Sequence, residues 1–133
     1  MESSPHILML AEANAALPKV RRLLERLQEL QRAIADGEQR REEWREELAT
    51  GNGHSKVALQ DQLAAEAEAT FNQLSACGAM LKDLESGLVD FYGERAGELV
   101  FLCWRLGEDL RVQYWHTLTG GFAGRQRVDD LIR

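Results

Sequence analysis

Cysteine and proline are both scarce in this sequence, with two of each in 133 residues. Cys77 and Cys103 are too few for a disulfide framework, and no CxxC spacing suggests a zinc or redox pair. This usage favours a reducing compartment, so we expect a cytoplasmic protein. The apolar stretch 7–17 is interrupted by Glu12 and has no Lys or Arg before it, so no signal peptide is expected.

Long apolar runs and an excess of basic residues are also missing. No run approaches the roughly 18 to 20 apolar residues that cross a bilayer, so we expect no membrane association. The 16 Lys and Arg face 22 Asp and Glu, which gives a formal net charge of −6. Nucleic acid is therefore not expected as a partner. Apolar residues make up 44% of the chain, an ordinary value that predicts one folded domain over residues 1–133.

The first part of the chain has the apolar periodicity of an α-helix. Over residues 18–50 apolar side chains recur three and four positions apart, which predicts one apolar stripe on a long helix. Proline is best tolerated in the first turn of a helix. Pro18 therefore predicts that residues 10–17 form a separate short helix or a kinked lead-in.

A second helix is expected after the turn formed around Gly51 and Gly53. Gly78 is placed to end this helix in the left-handed conformation. The second apolar stripe comprises Leu59, Leu63, Ala67, Phe71 and Leu74. Residues 10–78 are therefore predicted to form a long antiparallel helical hairpin.

The pattern after residue 78 is typical of strands. Three segments rich in Val, Phe, Leu, Trp and Tyr are separated by glycine-containing turns, and they are Gly87–Tyr92, Leu99–Leu106 and Leu110–Leu118. The run Gly120–Gly124 is too rich in glycine to continue a strand and predicts a loop. The fold class is therefore α+β, with the hairpin packed on a three-stranded antiparallel sheet and the sheet and glycine-rich loop occupying residues 79–126.

The register of the second and third strands follows from the turn that joins them. A two- or four-residue turn centred on residues 108–109 pairs Phe101 with His116 and Cys103 with Tyr114. A slip of one residue moves His116 to the opposite face, and the turn length leaves both registers open. Cys103 lies in the most apolar strand, so it is expected to be a core residue with a raised thiol pKa.

The predicted helical extension around residues 36–43 is polar on almost every side. It is followed by two isolated apolar residues, Trp44 and Leu48. One interpretation is a solvated extension held by charge pairs. The other is that Trp44 and Leu48 contact a partner helix or a second subunit, which would make the chain a homodimer.

Several segments resemble a family of bacteria and archaea called domain of unknown function 2203. They are Glu12–Asn14, Leu17–Pro18, Leu81–Glu85, Gly87–Phe91, Leu102–Glu108, Tyr114–His116 and Gly121–Gln126. The likeness extends from about Leu10 to Gln126. The family is uncharacterised, so the resemblance implies no activity. It does imply an acidic residue three positions after the histidine, where this chain has Thr119.

One histidine can be grouped with carboxylates. His116 together with Glu12, Asp83, Glu85 and Asp90 could hold a divalent metal ion through one imidazole and several oxygens. The alternative is structural. In that interpretation His116 ends a strand with a satisfied hydrogen bond, and the acidic residues cap turns or face solvent.

Arginines near the glycine-rich loop suggest an anion site. Arg105 and Arg125 could bind a phosphate or carboxylate together with the backbone N–H groups of Gly121 and Gly124. The alternative is that Arg125 pairs with Asp83, Glu85 or Asp90 and fixes the loop on the sheet.

Two functions are consistent with these patterns. The first is a non-catalytic interaction or structural module whose helices make the contact. The second is a protein that binds a divalent metal or a small anionic ligand through the polar residues of the C-terminal half, with catalysis left open. No sequence motif identifies a substrate or a reaction.

Overall fold

A computed structural model describes residues 6–51 and 53–130 of the chain. Three helices come first, namely α1 (Leu10–Gln39), α2 (Arg45–Ala49) and α3 (His54–Ala76). Five strands follow, namely β1 (Met80–Asp83), β2 (Leu88–Arg95), β3 (Glu98–Arg105), β4 (Tyr114–His116) and β5 (Gln126–Arg127). Two short 3₁₀ turns, Phe122–Gly124 and Val128–Asp130, flank β5. The chain is therefore an α+β protein with its helices before its sheet.

The sheet is antiparallel throughout and has five strands in the order β1-β2-β3-β4-β5. The prediction of three strands is wrong, because β1 and β5 were missed. With four and two residues, these strands are too short to show the alternation that marks a strand. The third predicted strand is also shorter than expected. Val112 donates its backbone N–H to the side-chain oxygen of Asn14 instead of a strand partner.

The predicted pairing of β3 with β4 is confirmed, but the predicted two- or four-residue turn is wrong, because residues 106–113 connect these strands. Phe101 stands opposite His116, and Cys103 stands opposite Tyr114. This register excludes the one-residue slip and places His116 on the same face as Cys103.

Helix α1 continues through Pro18, so the prediction of a separate short helix over residues 10–17 is wrong. An internal proline removes one backbone hydrogen bond and costs roughly 3 kcal/mol. Apolar residues on both sides offset this cost, because Ala13, Leu17 and Val20 are fully buried. At the start of the helix, the Glu12 carboxylate accepts the backbone N–H of Met9.

The predicted helical hairpin is correct in outline but not in its connection. Helices α1 and α3 run antiparallel, since Arg26 contacts Glu66 and the Gln60 amide donates to the carbonyl of Ile34. However, α1 ends at Gln39, and α2 forms a separate helical turn before α3. Gly37 is buried because the Gln60 side chain occupies the space that a Cβ would need.

The main core lies between α1 and one face of the sheet. Residues of the first half of α1 pack there with Val89, Phe91, Leu102, Trp104 and Trp115. From α3 only Leu74 joins the buried cluster, and Leu59 and Phe71 are exposed although the periodicity predicts them inside. None of the helices in the described part of the chain has both the length and the apolarity needed to cross a membrane.

Gly87→Ala and Gly97→Ala form a matched pair that tests the packing of the β1–β2 turn. Both glycines have a left-handed backbone, with φ of +71° and +81°, so each substitution should cost about 1–2 kcal/mol of folding free energy. At Gly87 a Cβ would also meet the Leu106 side chain at 2.4 Å, whereas nothing lies within 4 Å at Gly97. We expect Gly87→Ala to cost about 1–3 kcal/mol more in urea unfolding. Equal losses would contradict this packing.

Candidate metal centre

Three chemically active side chains meet on the sheet face that points away from the helices. Asp90 of β2, Cys103 of β3 and His116 of β4 place their ligand atoms within 4.8 Å of one another. Their residues are only 3%, 1% and 3% exposed. A buried carboxylate, thiol and imidazole therefore share one small space.

The β2–β3 hairpin sets this geometry. Its turn consists of Ala96 and Gly97, both with positive φ, which is the conformation of a two-residue type I′ turn. The turn fixes eight consecutive pairs, and one of them joins Asp90 to Cys103. Residues directly opposite in a sheet point to the same side. The β3–β4 register then adds His116 to that side.

The hydrogen bonds of His116 define which ring nitrogen is protonated. Nδ1 lies 2.7 Å from the carbonyl oxygen of Thr117, and a carbonyl only accepts, so Nδ1 carries a proton. Nε2 lies 3.1 and 3.2 Å from the two carboxylate oxygens of Asp90. Either a second proton or a metal ion must lie between Nε2 and Asp90, because a lone pair facing a carboxylate is repulsive.

The thiol of Cys103 has an unfavourable environment for ionisation in the metal-free protein. Burial raises the pKa of Cys103 from 9.0 to about 12, and the negative charge of Asp90 adds to this effect. The positive charge of Arg125 acts in the opposite direction. The predicted burial and raised pKa of Cys103 are thus confirmed.

One distance in this cluster is compatible with two ligands of a single metal ion and equally with a hydrogen bond. Ligand atoms about 2.0–2.3 Å from one tetrahedral zinc ion lie roughly 3.3–3.6 Å apart. The Nε2 to Asp90 Oδ1 distance of 3.1 Å is close to that value. The bond from Nδ1 to the Thr117 carbonyl is also the usual second contact of a metal-binding histidine.

A layer of cations and aromatic rings lies on the same sheet face. The Arg125 guanidinium carbon is 3.9 Å from the centre of the Tyr114 ring and 4.5 Å from that of Phe122. Its Nη2 donates to both carboxylate oxygens of Glu108 at 2.8 Å. The guanidinium carbon of Arg105 lies 4.9 Å from the centre of the Phe122 ring. Arg125 therefore pairs with Glu108, and the predicted pairing with Asp83, Glu85 or Asp90 is wrong.

Residues 7–128 match the family described as uncharacterized conserved proteins, domain of unknown function 2203. The chain belongs to this family. No curated protein and no solved structure shows a significant match to it. Membership in domain of unknown function 2203 thus confirms the resemblance and leaves the activity to be argued from the site.

Only part of the metal set predicted for this member of the family comes together. His116 and Asp90 are in contact, whereas Asp83, Glu85 and Glu12 lie outside the cluster. Hydrogen bonds from the Ser86 hydroxyl and then its amide hold the pKa of Asp83 below its ordinary value, and this carboxylate is exposed. Glu85 is also exposed, and Glu12 serves the start of α1.

Sequence reasoning missed Cys103 as a candidate ligand. Its apolar neighbours in the sequence suggested a core residue. Cys103 is indeed buried, but its thiol lies beside the polar side chains of Asp90 and His116. The signal was available in the strand register, since a two-residue turn at 96–97 places Asp90 opposite Cys103. The acidic residue expected three positions after the histidine is replaced by an exposed Thr119. In this chain the carboxylate facing His116 comes from β2.

The remaining predicted residues lie in two other places. The glycine-rich loop uses its own amides, because Gly124 donates its N–H to the carbonyl of Gly121. Trp44 lies half-buried at the hairpin tip, and Arg40 and Lys56 are both within 5.5 Å of its ring centre. Leu48 is also half-buried and occupies the space above Gly53.

The two cysteines should differ strongly in reactivity in chelator-treated protein. Cys103 is buried with a raised thiol pKa, whereas Cys77 is partly exposed and serves as an internal control. We expect iodoacetamide at about pH 8 to label Cys77 at least about 100-fold faster, because the thiolate is the reactive form. Mass spectrometry of peptides measures both rates. Similar rates would contradict the buried position of Cys103.

The Asp90–His116 pair should be costly to break from one side. In metal-free protein, His116→Ala leaves a buried carboxylate without its partner, so we expect a loss of about 3–5 kcal/mol in urea unfolding. Replacing both residues by Ala should cost less than the sum of the Asp90→Ala and His116→Ala losses. Arg26→Ala breaks the half-exposed ion pair with Glu66 and should cost about 0–1 kcal/mol. Additive losses at 90 and 116 would show that these residues do not interact.

Proposed function

We propose that this protein binds a divalent transition-metal ion through Asp90, Cys103 and His116. The observation that carries the proposal is the orientation of His116. Its Nδ1 lies at the Thr117 carbonyl, so Nε2 faces the Asp90 carboxylate beside the Cys103 thiol. A metal ion would replace the proton between Nε2 and Asp90 and would also ionise Cys103.

The ligand types favour a particular class of metal. Thiolate and imidazole groups select zinc, iron, cobalt or copper, whereas magnesium and calcium prefer sites made entirely of oxygen. Only one of the three ligands is a carboxylate. The predicted metal site is therefore revised from an oxygen-rich set to a mixed set of oxygen, sulfur and nitrogen, with zinc as the leading candidate.

The number of ligands bears on the role of the ion. Structural zinc sites have four protein ligands, and catalytic sites keep one position for water or substrate. Within residues 6–51 and 53–130, the cluster offers three ligand side chains of the His, Cys, Asp and Glu types. This count supports an ion with an open position. Such an ion would supply Lewis-acid chemistry or an activated water.

An interaction module that acts through the hairpin tip is the second candidate, and the structure supports it less. Trp44 and Leu48 would be its contacts, alone or between two copies of the chain. Both side chains already have partners at the tip, because two cations lie near the Trp44 ring and Leu48 packs above Gly53. Their apolar surface is therefore only partly free for a partner.

Metal content tests the proposed function directly. We expect about one zinc or similar ion per chain in protein purified without chelator, and loss of this ion in Cys103→Ser and His116→Ala. Cys77→Ser is the matched control and should retain the metal, because Cys77 lies outside the cluster. Plasma mass spectrometry gives the content. Cobalt substitution adds a thiolate charge-transfer band that Cys103→Ser should abolish.

The proposal fails if wild-type protein binds no ion after incubation with zinc or cobalt at neutral pH. It also fails if Cys103→Ser and Cys77→Ser retain the same amount of metal. Because His116→Ala is expected to be less stable, the cobalt spectrum of the folded wild-type protein provides a measurement that does not depend on this variant.

A further inference from the structure

The sheet face that carries Asp90, Cys103 and His116 also carries a concentration of positive charge, although the chain as a whole is acidic. The chain has a net charge of −6, yet four cations on this face lie over aromatic rings. They are Lys82 over Phe101, Arg105 over Phe122, Arg125 over Tyr114 and Phe122, and Arg127 over Tyr114. This concentration of cations attracts anions to one side of the molecule.

Internal carboxylates neutralise only part of this charge. Glu108 pairs with Arg125, and Asp129 lies 3.8 Å from the guanidinium of Arg127. Within the described residues, Lys82 and Arg105 have no ion pair. Of the two arginines beside Phe122, Arg125 therefore has a carboxylate partner and Arg105 has none among the described residues.

A second observation shows that Arg125 itself is not fully satisfied. Its side chain is only 11% exposed, and its Nε is buried without a hydrogen-bond partner in the described structure. A buried N–H of a charged group without an acceptor is costly and is rare in native proteins. Arg125 Nε therefore lacks a hydrogen-bond acceptor, and it does so next to the unpaired positive charge of Arg105.

We propose that Arg105 and Arg125 bind the carboxylate or phosphate group of a small ligand beside Phe122. Both guanidinium carbons lie within 5 Å of the centre of this ring. The planar guanidinium fork matches the oxygens of either group. The ligand is thus a small anionic molecule, and its recognition depends on side chains rather than on the glycine amides of the loop.

Phe122 and its turn form the outer wall of this anion site. The turn Phe122–Gly124 follows Gly121, which has a φ of +61°, and residues 117–124 are exposed throughout. Arg105 is partly exposed beside this turn, so an anion can reach its guanidinium group from solvent. Glu108 holds Arg125 from the other side and also accepts the backbone N–H of Arg105, so it aligns the two arginines.

The anion site lies next to the metal centre but does not depend on it. Arg125 lies over the ring of Tyr114, and Tyr114 is the residue paired with Cys103 across β3 and β4. A ligand anchored at the two arginines would therefore lie beside the cluster of Asp90, Cys103 and His116. Its anionic group is held by the protein alone, so binding is expected in metal-free protein too.

Calorimetric titration of the chelator-treated full chain with inorganic phosphate and, separately, with acetate tests the site. We expect a saturable heat for at least one anion. Arg105→Gln should weaken its binding about tenfold or more, since hydrogen bonds to charged groups are strong. Arg111→Gln removes the same charge from an exposed loop position and should change the affinity less than about twofold. Arg105→Lys keeps the charge but loses the fork, so an intermediate loss is expected.

Absence of heat with both anions would overturn the proposal. An equal effect of Arg105→Gln and Arg111→Gln would also overturn it, because binding would then reflect net charge only. Cys103→Ala separates the two proposals. This variant should still bind the anion, whereas it should lose the metal if the metal centre is correct. Circular dichroism of each variant verifies that the chain is folded.

Discussion

The fixed register between β2 and β3 is the constraint on which the rest of the structure depends. Ala96 and Gly97 adopt left-handed backbone angles in a two-residue turn, and the eight pairs that follow leave no freedom for a slip. A shift of one residue would move Asp90 into the apolar layer against α1 and would carry Phe91 to the polar face. The energetic cost of that exchange keeps the apolar core and the buried polar cluster on opposite faces of one sheet.

Most of the fold follows from local sequence patterns, and its errors have physical causes. The α+β class and the paired helices are predictable because they depend on periodicity, and the β3–β4 register was predicted correctly although residues 106–113 and not a short turn connect these strands. Residues 10–17 do not form a separate helix before Pro18, because tertiary packing of Leu17 and Val20 outweighs a local preference. Strands β1 and β5 were missed because strands of four and two residues are defined by their partners and not by their own alternation.

The candidate site was harder to predict than the fold. His116 and Asp90 were chosen for their chemistry, and the tertiary structure places them in contact. Asp83 and Glu85 were chosen on the same grounds and face solvent, since nothing in a single sequence tells a buried carboxylate from an exposed one. Cys103 was set aside because an apolar strand suggested packing. Buried polar groups of this kind break the rule that cores are apolar, and such violations concentrate where function requires them.

The helices extend well beyond the sheet, and this divides the molecule into regions of unequal local stability. The first half of α1 packs against β2, β3 and β4, whereas Thr70 and Leu74 are the buried residues of α3. Fewer buried contacts mean that the segment around α2 opens and recloses at a smaller free-energy cost than the sheet. Insertions, deletions, proteolytic cleavage or fusion of a domain at the hairpin tip should therefore have little effect on the structure of residues 88–116. The hairpin tip can vary in evolution or in engineering while the polar face of the sheet stays intact.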